Sequence, residues 1–228
     1  KATDPLYPET FPLIMKSGVT LKRMSEDTFP AINAEQTTYA IHCENLASGT
    51  TIQGFLIMGG YVDVNDPHMY GGGCYISNSY LDVIDCQFTG NSAFNGGGFH
   101  SFGSTVLVKD STFTTNNSDS NGGGVSVESS DTVIDGCLFQ DNTAAWGGAG
   151  VYLSSGSGFV MSNSVLTGNT ANGGAALGTE TSPDSTQVLN CLFFNNTANY
   201  EGGAVDVGYN VGGTTLSFHN CTFADNVA

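Results

Sequence analysis

A repeat of about 26 residues dominates the chain from residue 71 onward. Two short patterns alternate: a cluster of glycines, and a small residue followed by an apolar residue two positions later and an asparagine five positions later. The apolar positions of the second pattern are 25, 26, 27, 27 and 30 residues apart. A period of this length is typical of stacked repeat proteins, in which one unit cannot bury its apolar face alone.

The residues that follow each glycine cluster alternate between apolar and polar types. Cys74 and Ile76 show this alternation in one unit, and Val125 and Val127 show it in another. Period two predicts a strand with one buried face, and no stretch in this region has a helical period with caps. The sequence therefore predicts an all-β fold. We expect a right-handed parallel β-helix of about seven to eight coils, about 26 residues per coil, with neighbouring coils about 4.8 Å apart.

Stacking of the coils predicts columns of equivalent side chains. We expect an apolar column inside the solenoid and a parallel inward column of small residues. An asparagine column should form a corner, where the amides can bond above and below and tolerate left-handed backbone angles. The apolar column comprises Phe88, Phe113, Phe139, Leu166, Phe193 and Phe223. The small column comprises Cys86, Ser111, Cys137, Ser164, Cys191 and Cys221. The asparagine column comprises Asn91, Asn116, Asn142, Asn169, Asn196 and Asn226.

The first part of the chain is less regular than the rest. We expect residues 1–70 to form an N-terminal cap and irregular first coils, with Gly54 and Leu56 at the small and apolar positions. Residues 71–228 are expected to form one continuous solenoid. The sequence stops two residues after the asparagine column, so the last coil is expected to be truncated or covered by another molecule. One hypothesis is that copies of the chain stack end to end into filaments.

The charge balance excludes several classes of partner. The formal net charge is −16, with 5 lysines and arginines against 21 aspartates and glutamates. This field argues against nucleic acid and anionic membrane surfaces as partners. No apolar run reaches the length of about 20 residues needed to span a bilayer. The six cysteines show no CxxC pair; although Cys191 and Cys221 could approach in adjacent coils, we expect inward-facing free thiols.

The two patterns resemble the polymorphic outer-membrane protein repeat known from chlamydial surface proteins. That family is characterised by GGA[ILV] and FxxN tetrapeptides. They correspond here to GGAV at 202–205 and to FTGN, FTTN, FQDN, FFNN and FADN, with LTGN as a departure. The resemblance covers residues 71–226. It implies a secreted or surface-exposed β-helix of the pectate-lyase-like superfamily, often an adhesin, and that superfamily also contains polysaccharide-degrading enzymes.

No residue set in the repeats predicts catalysis. A polyuronate lyase needs an arginine or lysine base, but no arginine follows Arg23 and Lys109 is the only lysine after residue 70. A glycoside hydrolase needs two nearby carboxylates. Asp85 and Asp110 share one repeat position, but the next coils carry glycine or asparagine there, which favours a structural corner. We therefore predict that the chain is not an enzyme and has no catalytic residues.

One short acidic loop is a candidate calcium site. Asp63, Asn65 and Asp66 lie within four residues, and calcium prefers clustered oxygen ligands. The segment lacks the twelve-residue EF-hand pattern, so a solvated acidic loop is the alternative. No cofactor is predicted to be required.

Aromatic residues on the outer surface are candidate glycan contacts. Tyr75 and Tyr152 occupy outward positions after glycine clusters, and Trp146 precedes one such cluster. Such rings can stack on sugars. The sequence predicts a non-catalytic extracellular β-solenoid with a surface, adhesive or scaffold role, whose partners would be itself or a cell-surface or glycan ligand. The alternative is a carbohydrate-binding module, or a polysaccharide lyase or hydrolase, that uses one face of the helix.

Overall fold

A computed structural model describes residues 10–25, 28–63, 69–155, 158–180, 185–208 and 215–228. Within these ranges every regular element is a β-strand, and no helix has the length and apolarity that a membrane crossing requires. The strands in chain order are β1 (Leu13–Ile14), β2 (Thr20–Lys22), β3 (Ala31–Asn33), β4 (Ile41–Glu44), β5 (Thr51–Gln53), β6 (Leu56–Met58), β7 (Cys74–Ser77), β8 (Tyr80–Ile84), β9 (Gln87–Thr89), β10 (Ser92–Ala93), β11 (Phe99–Phe102), β12 (Thr105–Lys109), β13 (Thr112–Thr114), β14 (Asn117–Ser118), β15 (Val125–Glu128), β16 (Asp131–Asp135), β17 (Leu138–Gln140), β18 (Thr143–Ala144), β19 (Val151–Ser154), β20 (Gly158–Ser162), β21 (Val165–Thr167), β22 (Thr170–Gly173), β23 (Leu177–Thr179), β24 (Ser185–Leu189), β25 (Leu192–Phe194), β26 (Thr197–Glu201), β27 (Val205–Val207), β28 (Thr215–His219) and β29 (Thr222–Ala224).

The strands form parallel sheets that run along the solenoid axis. Sheet A has the order β1-β4-β7-β11-β15-β19-β23-β27, and sheet B has the order β2-β5-β8-β12-β16-β20-β24-β28. Sheet C has the order β3-β6-β9-β13-β17-β21-β25-β29, and the short sheet D has the order β10-β14-β18-β22-β26. Each strand pairs with its equivalent one coil away, so the predicted parallel β-solenoid is confirmed.

The corner between sheets B and C uses residues that tolerate left-handed backbone angles. Asp85 and Asp110, considered above as a carboxylate pair, have φ of 51° and 49° at this corner. Glycine or asparagine occupies the same position in the later coils, also at positive φ. These residue types are the ones that adopt this conformation most readily. Asp85 also forms an ion pair with Arg23, with Nη2 of Arg23 2.8 Å from Oδ2 of Asp85. These surroundings are those of a structural residue.

The apolar column lies inside the solenoid in consecutive strands of sheet C. Phe88, Phe113 and Phe139 pair in register and stack with ring centroids 4.8 and 4.9 Å apart. Leu166 and Phe193 continue the column and are fully buried. Burial of a phenylalanine side chain contributes about 1.5–3 kcal/mol. Phe223, in the edge strand β29, stacks on Phe193 but is 47% exposed.

The asparagine column follows directly after sheet C. In each buried member the amide nitrogen donates to the next asparagine, as from Asn116 Nδ2 to Asn142 Oδ1 at 3.0 Å. The same nitrogen donates to a backbone carbonyl one coil earlier, as from Asn116 Nδ2 to the Phe88 carbonyl at 3.0 Å. The expectation of left-handed angles at the asparagines was wrong by one residue. The preceding residue adopts them, for example Thr115 at φ 53° and Asp141 at φ 54°.

The column of small residues lies between the B–C corner and sheet C. Backbone nitrogens donate to the serine hydroxyls of the next coil, as from Cys86 and Cys137 to Ser111 and Ser164 at 3.1 Å. All six cysteines of the chain lie in the described ranges and none forms a disulfide. Burial raises the pKa of Cys86 to about 11 and that of Cys137 to about 12. These thiols therefore stay protonated and pack as small side chains.

The early coils deviate from the predicted register by one residue. Leu56 was expected at the apolar position, but Ile57 pairs with Phe88 and is fully buried, whereas Leu56 pairs with Gln87. Likewise Gly54, with φ of 80°, occupies the corner position rather than the small position. Strand side chains alternate between faces, so a slip of one residue exchanges inside and outside. The run Phe55–Met58 is apolar throughout and therefore gave no alternation to fix the register.

We expect Asn142→Ala to destabilise the solenoid by about 2–5 kcal/mol, because it leaves buried groups above and below without partners. Asn142 Oδ1 accepts from both the backbone nitrogen and Nδ2 of Asn116, and Asn142 Nδ2 donates to the Phe113 carbonyl. The measurement is the denaturant dependence of unfolding. Asn199→Ala is the control, since Asn199 is exposed, and should change stability by at most about 0.5 kcal/mol. Equal effects of the two substitutions would contradict the structural role of the column.

Candidate ligand-binding groove

The outer face of sheet A carries one column of side chains whose character changes along the axis. These residues pair in register from coil to coil: His42, Tyr75, His100, Ser126, Tyr152, Gly178 and Asp206. The first three members, His42, Tyr75 and His100, all carry rings. After Ser126, only Tyr152 carries a ring, and it is followed by Gly178 and the acidic Asp206. The outer face therefore has two chemically different halves.

An aromatic cluster fills the N-terminal half of this face. Tyr39 lies edge-on to His42 at 5.3 Å, and His42 lies edge-on to Tyr75 at 5.5 Å. His100 stacks between Tyr70 at 4.7 Å and Tyr75 at 6.2 Å. Tyr75, expected to be a glycan contact, thus packs inside this cluster rather than beside the other two predicted contacts.

His100 is buried within the aromatic cluster and is neutral. Its Nε2 lies 3.8 Å from Glu128 Oε2, and its Nδ1 has no hydrogen-bond partner in the described part of the chain. Burial lowers the pKa of His100 to about 3. Burial also raises the pKa of Glu128, and the charge of Glu180 adds to that increase. Both effects reflect a face that is poorly solvated and contains negative charge.

The C-terminal half of the face is open and forms a groove of about 420 Å³. It extends across four coils at the junction of sheets A and D. We call it the aromatic–acidic groove. Its lining residues are Asn121, Trp146, Gly147, Tyr152, Asn172, Gly173, Gly178, Thr179, Glu180, Tyr200, Glu201, Asp206 and Gly208.

Three aromatic side chains form the walls of the groove. Trp146 lies between β18 and β19 and is 65% exposed; Tyr200 lies near the end of β26 and is 78% exposed. Tyr152 projects outward from the middle of β19 and is half-buried. Because these rings are grouped in one groove, they present a continuous flat apolar surface to solvent, which marks ligand or partner sites more than single exposed residues do.

Gly178 lies between Tyr152 and Asp206 in the outward column, and its position has no room for a side chain. A Cβ atom at this position would lie 2.6 Å from the Gly148 backbone nitrogen and 3.2 Å from the Tyr152 ring. The backbone of the turn before β19 therefore approaches the sheet closely here. Glycine at this one position of the outward column is what permits that close approach.

Carboxylates give the groove a negative rim. Tyr152 Oη donates to Glu180 Oε2 at 3.5 Å. The pKa of Tyr152 is raised, first by burial and then by the charges of Glu180 and Asp206, so the phenol keeps its proton. Neither Glu201 nor Asp206 forms a side-chain ion pair or hydrogen bond within the described residues. No lysine or arginine follows Lys109 in the sequence, so the coils that build the groove contribute no such cation.

The structure brings together only part of the predicted set and adds residues that the sequence analysis missed. Trp146 and Tyr152 line the same groove, but Tyr75 does not. Tyr200, Glu180 and Asp206 were not predicted. Asp206 had a usable signal, because it occupies the outward position of GGAVDV that Tyr152 occupies in GAGVYL.

The calcium site predicted at Asp63, Asn65 and Asp66 stays a prediction. Asn65 and Asp66 lie outside the described residues, and Asp63 is exposed. Among the residues that the structure describes, no three histidine, cysteine, aspartate or glutamate side chains form a group suited to a metal ion. End-to-end assembly is likewise untested; it would involve edge strands such as β29, where Phe223 is exposed.

A second, larger groove of about 560 Å³ lies on the outer face of sheet B. Leu107, Val133 and Val160 form an apolar stripe there, with Asp82 and Asp131 beside it. It contains a single aromatic residue, Tyr80. Fewer groups that could orient a ligand converge here than in the aromatic–acidic groove, which is therefore the better candidate site.

Comparison with protein families gives two matches. The model of the right-handed β-helix region matches residues 33–193. The model of the Chlamydia polymorphic membrane protein repeat matches residues 190–207, which confirms the resemblance carried by the FFNN and GGAV tetrapeptides. A search of curated proteins and a search of solved structures gave no significant match.

We expect His100→Phe to reduce the sensitivity of the fold to acid. The pKa of His100 is lower in the folded chain, about 3, than in the unfolded chain, about 6.5. Between these values the unfolded state binds the additional proton, so stability falls as the pH falls. Glu128, with its raised pKa, contributes the opposite sign and is retained in the variant.

The measurement is the free energy of unfolding at pH 7 and pH 5. The native chain should lose about 1–2 kcal/mol more than His100→Phe over this interval. His219→Gln is the control, since His219 is exposed. If the native chain and His100→Phe lost the same free energy of unfolding between pH 7 and pH 5, His100 would not be held neutral by burial.

Proposed function

The chain belongs to the right-handed β-helix family, and we propose that it is a surface-type β-solenoid that binds carbohydrate through the aromatic–acidic groove. The observation that carries this proposal is the grouping of Trp146, Tyr152 and Tyr200 in one open groove. The apolar faces of sugar rings pack on aromatic rings, and nearby polar groups fix orientation. The amides of Asn121 and Asn172 and the groove carboxylates supply such polar groups.

The solenoid scaffold suits a binding role because it holds several of the groove residues on paired strands. Tyr152 lies in β19, which is paired on both sides, and Asp206 lies in β27, which is paired with β23. Binding residues on regular elements lose little conformational freedom when a ligand binds. Sugar recognition on a rigid, elongated molecule supports an adhesive role at a cell surface. The match to a repeat of a polymorphic membrane protein is consistent with that location.

Glycoside hydrolysis is a second candidate, favoured by the carboxylates beside the aromatic rings. Such enzymes place two carboxyl groups on either side of the scissile bond. The groove offers Glu180, Glu201 and Asp206. Release of reducing ends from a glycan, abolished by Glu180→Gln or Asp206→Asn, would replace the binding proposal with a hydrolytic one. Binding without such release would support the non-catalytic function.

We expect Trp146→Ala to weaken glycan binding by about tenfold, because it removes the indole ring, which is the largest aromatic surface of the groove. Tyr200→Ala should weaken binding in the same direction. The measurement is isothermal titration calorimetry with tetramers of glucose, N-acetylglucosamine and glucosamine. At least one tetramer should bind the native chain.

The matched control is Tyr80→Ala, which removes an exposed aromatic ring from sheet B, away from the groove. This variant should retain the native affinity. No binding of any tetramer to the native chain would contradict the proposal. So would an equal loss of affinity in Trp146→Ala and Tyr80→Ala.

A further inference from the structure

We propose that the aromatic–acidic groove selects glycans that carry free amines, such as oligomers of glucosamine, over neutral and acidic glycans. This inference rests on the proposed carbohydrate-binding function and specifies the class of ligand. It follows from the coincidence of aromatic walls, uncompensated carboxylates and a lack of lysine and arginine in the coils that build the groove.

The charge of the groove is negative and has no internal counter-ion. Glu180, Glu201 and Asp206 line it, and Tyr152, the one phenol bonded to a carboxylate there, is neutral. Glu128 lies close enough to be affected by the charge of Glu180. A ligand ammonium would supply the missing positive charge. A uronate would add a further negative charge to a surface that already repels it.

The aromatic walls favour the same ligand chemistry. The faces of indole and phenol rings carry negative electrostatic potential, so a cation held near them is attracted. Trp146 and Tyr200 present such faces beside Glu201 and Asp206. The same rings also offer flat apolar surface to the C–H faces of a sugar ring. An amine-bearing sugar is the ligand that uses both properties of the rings.

The shape of the site favours an oligosaccharide over a basic peptide. The groove lies on the outer face of the sheets, and two of its sheet A strands, β19 and β23, are paired on both sides. A peptide could add as a strand only at the edge strand β27, in the plane of the sheet, and not across the groove. The groove crosses four coils, so its length suits a chain of several sugar rings rather than a single amine.

The first experiment compares the affinities of three tetramers, of glucosamine, N-acetylglucosamine and galacturonate, by calorimetry at pH about 6, where the amines are protonated. We expect the glucosamine tetramer to bind at least about tenfold more tightly than the N-acetylated tetramer at low salt. The preference should shrink when the salt concentration rises to about 0.5 M, because salt screens the charges. Galacturonate should not bind.

The second experiment removes two of the three groove carboxylates without removing the rings. The variant Glu201→Gln/Asp206→Asn should reduce the preference for the glucosamine tetramer over the N-acetylated tetramer to about twofold. Asp82→Asn/Asp131→Asn is the matched control, since it removes two negative charges from the groove on sheet B. This control should retain the native preference.

The outcomes separate this inference from the function on which it rests. Equal affinity for the glucosamine and N-acetylglucosamine tetramers would overturn the amine selectivity but preserve carbohydrate binding. Failure of every glycan to bind would overturn both. Binding of tetralysine, with no binding of the glucosamine tetramer, would show that the groove recognises amines on peptides and would also overturn the inference.

Discussion

In-register hydrogen bonding between successive coils is the interaction on which the rest of the structure depends. Because every strand pairs with its equivalent one coil away, each side chain stacks on its counterpart. The stacked phenylalanines, 4.7–4.9 Å apart, have almost the spacing of the strands themselves. The asparagine amides add bonds in the same direction, so the corners as well as the sheets are fixed. A unit too small to bury a core alone thereby becomes part of a continuous core.

The same regularity explains where a binding site can arise. A side chain on the outer face lies above and below its equivalents, so the chemistry of a face is set by a column rather than by a single loop. On sheet A the column is aromatic and buried at His100, whereas Tyr152, Gly178 and Asp206 line an open groove farther along the axis. The groove is thus a local interruption in a repeated surface. A solenoid of this kind can change its ligand by changing one column while its core remains the same.

The distribution of charge gives the two ends of the molecule different properties. Apart from Lys109, all lysines and arginines lie in the first 23 residues, whereas acidic residues continue to residue 225. Arg23 is already paired with Asp85, so part of this small positive charge is neutralised internally. The later coils, which contain the groove, therefore carry a negative field. That field attracts positively charged ligands before they make contact. The acidic composition of the chain therefore affects which ligands reach the aromatic–acidic groove.

The sequence by itself determined the fold. The spacing of phenylalanine and asparagine indicates the length of a coil. The two-residue alternation after each glycine cluster indicates which face of the strand is buried. It failed locally at Leu56, where a uniformly apolar run carries no alternation. Only the tertiary structure decided that Trp146, Tyr152 and Tyr200 share a groove with Glu180 and Asp206. These residues come from three successive coils, and their proximity depends on the in-register stacking of those coils, which no local pattern records.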